Sequence, residues 1–176
     1  MQVILGIHPE PTITMPKKRV LMPFKDSGHE HQHCQHDAMQ TAERVCAERG
    51  LRLTPLRRQV LQLVWDSHEP VKAYDVLARL QETHANAAPP TVYRALEFLQ
   101  EQGFVHRIQS MNAYLGCGAA SESHDSQFLI CRDCGEVAEL DDAEISDLLS
   151  RKARTLGFHI DNETIEIRGR CASCRH

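Results

Sequence analysis

The chain has 176 residues, a formal net charge of −4, seven cysteines and eleven histidines. That length suits one ordinary domain or two small ones, and small domains need help from a metal or a partner chain. An odd cysteine count beside so many histidines points to metal ligation in a reducing compartment and away from a secreted disulfide scaffold. No apolar run approaches the roughly 20 residues needed to cross a bilayer.

Charge is unevenly spread: residues 1–37 balance to 0, residues 38–118 to +1 and residues 119–176 to −5. Any nucleic acid should therefore meet the middle segment. The opening run Val3, Ile4, Leu5, Ile7 has no basic residue ahead of it and is followed by Pro9 and Pro11. It does not match an export signal, so the expected location is the cytoplasm.

Residues 1–37 mix four prolines with the basic run Lys17-Lys18-Arg19 and then His29, His31, His33, Cys34 and His36, which predicts a disordered tail. In an extended chain the alternating histidines share a face and suit soft or borderline cations; the same pattern also fits a solvated tail of weak metal affinity. From Ala38 the period becomes helical, with Ala42, Val45 and Cys46 inward and Gly50 closing the run. Thr54-Pro55 supplies an N-cap and a first-turn proline for a second helix lined by Leu56, Val60, Leu63 and Val64. A third spans about Ala73 to Thr83, with Val76, Leu77 and Leu80 buried.

A fourth helix opens at Pro89-Pro90 and ends at Gly103, burying Val92, Ala95, Leu96 and Leu99. Thr91, Tyr93, Arg94 and Glu97 face outward, and the first three crowd the turn that a recognition helix inserts into a major groove. A solvated amphipathic face explains the same pattern. The alternating strands Phe104–Gln109 and Ala113–Cys117 around Met111-Asn112 tip the balance, because helices followed by a hairpin describe a winged helix.

Residues 118–126 are small and polar, as in a hinge. Beyond them stand two short hairpins, Cys131-Arg132-Asp133-Cys134 and Cys171-Ala172-Ser173-Cys174. Two residues between cysteines let a tight turn aim both sulfurs at one point, and two such turns close a four-thiolate zinc site with no open position. Two disulfides, or thiols that bind nothing, are the other possibilities. Phe128–Ile130 leads into the first cysteine turn; after it, strands are predicted at Glu136–Leu140, Phe158–Ile160 and Thr164–Ile167, with a helix capped by Asp141 or Asp142 and ended by Gly157. A sheet of three strands with one helix leaves an edge and faces uncovered, so self-association is expected.

The fold class predicted is α+β: a tail (1–37), a winged helix-turn-helix domain (38–117), a hinge (118–126) and a small αβ dimerisation domain (127–176) with a structural zinc site of four cysteines. The chain over 38–176 resembles the ferric uptake regulator family, most closely its zinc uptake regulator branch. The resemblance rests on Leu53-Thr54-Pro55-Leu56-Arg57, on Pro90-Thr91-Val92-Tyr93-Arg94-Ala95-Leu96 and on the two cysteine pairs. It implies a homodimeric repressor loaded with metal to bind a palindromic operator in double-stranded DNA.

The resemblance further implies two zinc ions per subunit. Cys131, Cys134, Cys171 and Cys174 would hold the structural one, and His106, Cys117, His124 and Glu139 the regulatory one, an acceptable tetrahedral set. Tyr74 and Arg94 match the family's DNA-contacting pair. The iron branch's His-His-Asp-His run is replaced here by Ser126-Gln127-Phe128. Zinc as corepressor of zinc uptake and homeostasis genes is the function implied, with an iron- or peroxide-responsive regulator as the alternative and a zinc-buffering or thiol redox protein further off. A zinc hydrolase or deaminase is not expected: the Pro-Cys-x-x-Cys signature is absent, since Ile130 precedes Cys131. Neither a membrane nor a small organic substrate is implied.

Overall fold

The computed structural model describes residues 18–24, 31–67, 69–120 and 125–175. In chain order these form β1 (Lys18–Met22), α1 (His31–Glu48), α2 (Pro55–Val64), α3 (Ala73–Gln81), α4 (Pro89–Glu101), β2 (Val105–Ile108), β3 (Ala113–Gly116), β4 (Ser126–Cys131), β5 (Val137–Asp142), α5 (Ala143–Thr155) and β6 (Thr164–Gly169). Among the described residues no helix is long and apolar enough to cross a membrane.

The helical half follows the sequence period closely. Thr54 caps α2 by accepting the Arg57 N–H at 3.3 Å, and Met39, Ala42, Val45, Cys46, Val60, Leu61, Val76, Leu80, Leu96 and Leu99 share one core. Cys46 is thus a packed thiol. The Arg57 guanidinium lies 3.5 Å over the Phe98 ring, so the arginine of the Leu-Thr-Pro-Leu-Arg run braces α2 against α4. The β2–β3 hairpin is a wing with both faces covered. Val105 and Tyr114 join the helical core, and Ile108 and Leu115 join a second core with Met22, Phe128, Ile130 and Val137. Burying two such aliphatic side chains contributes about 1.5–3 kcal/mol each toward seating the wing on the sheet, set against the entropy of ordering it there. The Trp65 ring closes the other side: a Cβ built on Gly116 would stand 2.2 Å from it, so only glycine fits there.

β1, β5, β4 and β6 lie side by side in that order, with β6 parallel to β4 and the other pairs antiparallel. One rung crosses the whole sheet, pairing Met22 with Glu139, Glu139 with Phe128 and Phe128 with Glu166. Paired residues present their side chains on one face, and this face seats the wing.

Three expectations require correction. Residues 18–22 and 31–37, read as part of a disordered tail, form β1 and the first turns of α1. β1 is held by ladder bonds to β5 and an Arg19–Asp141 ion pair at 3.0 Å, and α1 is anchored early by Gln35, whose amide donates to Asp66 at 2.9 Å. The sheet accordingly has four strands. Phe158–Ile160 is not one of them, because Gly157 (φ +71°) and Phe158 close α5 by donating to Arg154 and Ala153 carbonyls at 3.0 Å. The amide that a strand would need is spent on the helix end.

Candidate metal centres and nucleic-acid interface

The four paired cysteines converge. Their sulfurs all lie within 4.8 Å of one another, and Cys134 and Cys171, from different hairpins, stand 3.9 Å apart, far beyond the ~2.05 Å of a disulfide. Gly135, at φ +80°, turns the first hairpin, while its N–H donates to the Cys131 carbonyl at 2.9 Å. The Arg132 N–H donates to the Gly169 carbonyl at 2.9 Å and so ties that hairpin to the end of β6. Backbone N–H groups of Cys171 and then Cys134 lower the Cys131 thiol to about 6. A sulfur held as thiolate at neutral pH, ringed by three more, is a donor set suited to a closed zinc site.

The second cluster joins the wing to the sheet. His106 on β2, Cys117 just past β3 and Glu139 on β5 place their donor atoms within 4.8 Å of one another. Glu139 is fully buried; its Oε1 lies 2.8 Å from His106 Nε2 and its Oε2 accepts the Gly118 N–H at 3.1 Å. The Ser126 hydroxyl lies 3.3 Å from His106 Nδ1, and the Phe128 ring meets the imidazole edge-on at 5.2 Å. An imidazole, a thiol and a carboxylate at this spacing fit zinc as three of four tetrahedral ligands. His124 lies outside the described residues.

Burial pulls the His106 pKa down, but the Cys117 sulfur and the Glu139 carboxylate more than reverse this and raise it to about 9. In the metal-free protein His106 is therefore an imidazolium at neutral pH. Its folded value exceeds its unfolded one, so the stability it contributes is full below about 6.5 and is lost as pH rises through about 9. Metal ligation must expel that proton. The His106 ring signals of the chelated protein are expected to titrate near pH 9 by NMR, and zinc affinity to rise with pH from 6 to 8; a ring titrating at the ordinary value would contradict this electrostatic picture.

Ser126 and Gln127 both make hydrogen bonds within the fold. Ser126 orients His106, and the buried Gln127 amide exchanges hydrogen bonds with the Asp142 backbone at 3.0 and 3.2 Å. In the tail, His29 lies outside the described residues. His31, His33, Cys34 and His36 fall on α1, which replaces the alternating extended face expected of them. Of the DNA-facing candidates, Tyr74 at the start of α3 is 69% exposed, Tyr93 and Arg94 are exposed on the first turns of α4, and Thr91 is half-buried.

A winged helix, a four-sulfur cluster and a second donor set between wing and sheet now stand together in one chain. The model of the ferric uptake regulator family matches residues 48–168. The chain belongs to the ferric uptake regulator family. It is 43% identical over 134 residues to the zinc uptake regulation protein of Escherichia coli (strain K12), covering 76% of this chain and 78% of that protein. Among solved structures, it resembles a zinc uptake regulator complexed with zinc and DNA, at 41% identity and a TM-score of 0.76, covering 80% of this chain and 94% of that one. Holo XcZur is similar at 45% identity and a TM-score of 0.72, covering 78% and 96%.

Proposed function

We propose that this member of the family is a zinc-responsive transcriptional repressor, a homodimer that binds a palindromic operator in double-stranded DNA with zinc as corepressor of zinc uptake and homeostasis genes. The observation that carries this is the His106–Cys117–Glu139 cluster, whose members come from the wing, the wing's end and the sheet. Its thiolate, imidazole and carboxylate chemistry suits zinc, and relatives of this chain are zinc uptake regulators, one of them solved with zinc and DNA.

His106, Cys117 and Glu139, with His124 as the fourth donor we propose, would hold the regulatory zinc, and Cys131, Cys134, Cys171 and Cys174 would hold a structural one; each ion would supply a cross-link between segments distant in sequence. His106 and Cys117 meet Glu139 only when the wing is seated on the sheet, so ligation favours one angle between the winged helix and the sheet that carries Glu139. That angle sets the distance between the α4 helices of a dimer, which must be about 34 Å to enter successive major grooves. Self-association is suited to α5, the turn after it and β6, where Leu148, Leu149, Leu156, Phe158 and Ile167 are exposed and β6 is an outer strand of the sheet among the described residues. The protein works in the cytoplasm by binding, not catalysis.

The decisive experiment measures operator binding across buffered free zinc, iron and manganese. Zinc alone should tighten it at low concentration; indifference to zinc, or a preference for iron, would overturn the assignment. Within the interface, Tyr74, Thr91, Tyr93 and Arg94 face the duplex, and Arg94→Ala is expected to weaken operator binding by roughly 1–3 kcal/mol if the guanidinium reads a base edge. Equal weakening on random DNA, read by the same titration, would make it a phosphate contact.

A further inference from the structure

The wing is fastened to the sheet at a second point, away from the donor cluster. Between β2 and β3 the chain makes a single 3-10 turn over Gln109–Met111, which forms the tip of the hairpin. The N–H of Gln109 donates to Glu166 Oε1 at 2.6 Å and that of Ser110 to Glu166 Oε2 at 3.0 Å. Glu166 is 57 and 56 residues further along, on β6, so this is a long-range clasp and not a local cap. A carboxylate that spends both oxygens on adjacent backbone N–H groups makes charge-assisted bonds of fixed direction. Partial burial pushes the Glu166 carboxyl up, yet the hydroxyl and amide of Ser110 and the amide of Gln109 hold it below the usual range, so it is ionised at neutral pH.

The placement matters because of the rung already described. Glu139 and Glu166 flank Phe128 on the strands either side of it. The wing therefore rests on Phe128 with one carboxylate at its base, beside His106 and Gly118, and another at its tip. The base contact belongs to the proposed metal centre. The tip contact needs no metal.

We infer that Glu166 is a positioning residue: a metal-independent latch that holds the wing tip on β6, biases the protein toward the seated posture and so sets the zinc concentration at which the regulatory site fills. The inference rests on the repressor assignment only for its consequence at DNA. An effector's apparent affinity scales with the fraction of molecules already in the competent posture. With the clasp gone, His106 and Cys117 must be brought to Glu139 against a larger population of unseated wings. Zinc affinity should fall about three- to ten-fold with stoichiometry unchanged, the range set by two partly solvated hydrogen bonds.

The test uses full-length protein retaining zinc at its four-cysteine site, as wild type, Glu166→Ala and Glu166→Gln, the last keeping the side-chain shape with one acceptor oxygen. In the form lacking regulatory zinc, hydrogen exchange at the Gln109 and Ser110 amides should be slow in wild type, fast in Glu166→Ala and intermediate in Glu166→Gln. Zinc affinity measured by chelator competition without DNA should fall in the same order, while retention of the four-cysteine zinc reports that each variant is folded. Unchanged exchange at both amides overturns the latch. Faster exchange with unchanged zinc affinity overturns its bias on the metal site. Both effects present, in a protein whose wild-type operator binding ignores zinc, would uphold the latch and overturn the repressor assignment instead.

Discussion

Cys131→Ser is expected to release one zinc per chain and to unmake the C-terminal half of the molecule. Cys131 is the sulfur at which backbone N–H groups converge, and its hairpin is the one tied by Arg132 to the end of β6. A serine hydroxyl stays protonated at neutral pH and is a poor zinc ligand, so three sulfurs would be left around an incomplete site. Structural zinc in small domains contributes apparent binding free energies of about 10–16 kcal/mol that are at the same time folding free energy. That matches or exceeds the whole stability of a typical domain, about 5–15 kcal/mol. Metal analysis with sedimentation should find the variant one zinc poorer and monomeric or aggregated. A well-folded dimer without that zinc would dismiss the staple.

The second large effect separates sensing from folding. Cys117→Ser or His124→Ala should leave the melting transition and the four-cysteine zinc in place while removing zinc-dependent operator binding. Cys117 is buried at the wing's end with the Ala119 N–H donating to its sulfur at 3.4 Å, and a serine there fits the same space. Loss of even an outer-shell partner costs about 10–100-fold in metal affinity, and loss of a direct ligand should cost at least the upper end of that. Calorimetric zinc titration beside operator binding checks it; unchanged zinc dependence in both variants would remove these residues from the sensing site.

Much of this was legible in the sequence because its signals are local. The Thr54-Pro55 cap, the inward stripe of α4 and the two-residue spacing of the cysteines each act within a turn or two, and each has its predicted place. Family resemblance alone points to His106, Cys117 and Glu139 in the sequence, and only the fold brings them together. What escaped is long-range. β1 reads as a basic, proline-flanked tail until its partner strand at residues 139–142 is known. Glu166 sits in an alternating strand, Thr164–Ile167, where a carboxylate is the ordinary solvent-facing choice, and nothing nearby announces a clasp to residues 109 and 110. Phe158–Ile160 alternates like a strand, but its first amide was already claimed by the helix end. α1 begins seven residues earlier than its apolar period because Gln35 makes its contacts through polar atoms.

The two flanks of the sheet are unlike. β6 offers six residues in regular register, whereas β1 is short, opens on Lys18 and Arg19, shifts register between Val20 and Met22 and stops at Pro23. Charge, a bulge and proline are the devices that keep a strand from recruiting another chain. In a pair joined through β6, as proposed above, the receptive border of each copy would be used up and the blunt β1 borders would face outward. Such a pair would not propagate into a ribbon, and copies could crowd along DNA without seeding fibrils.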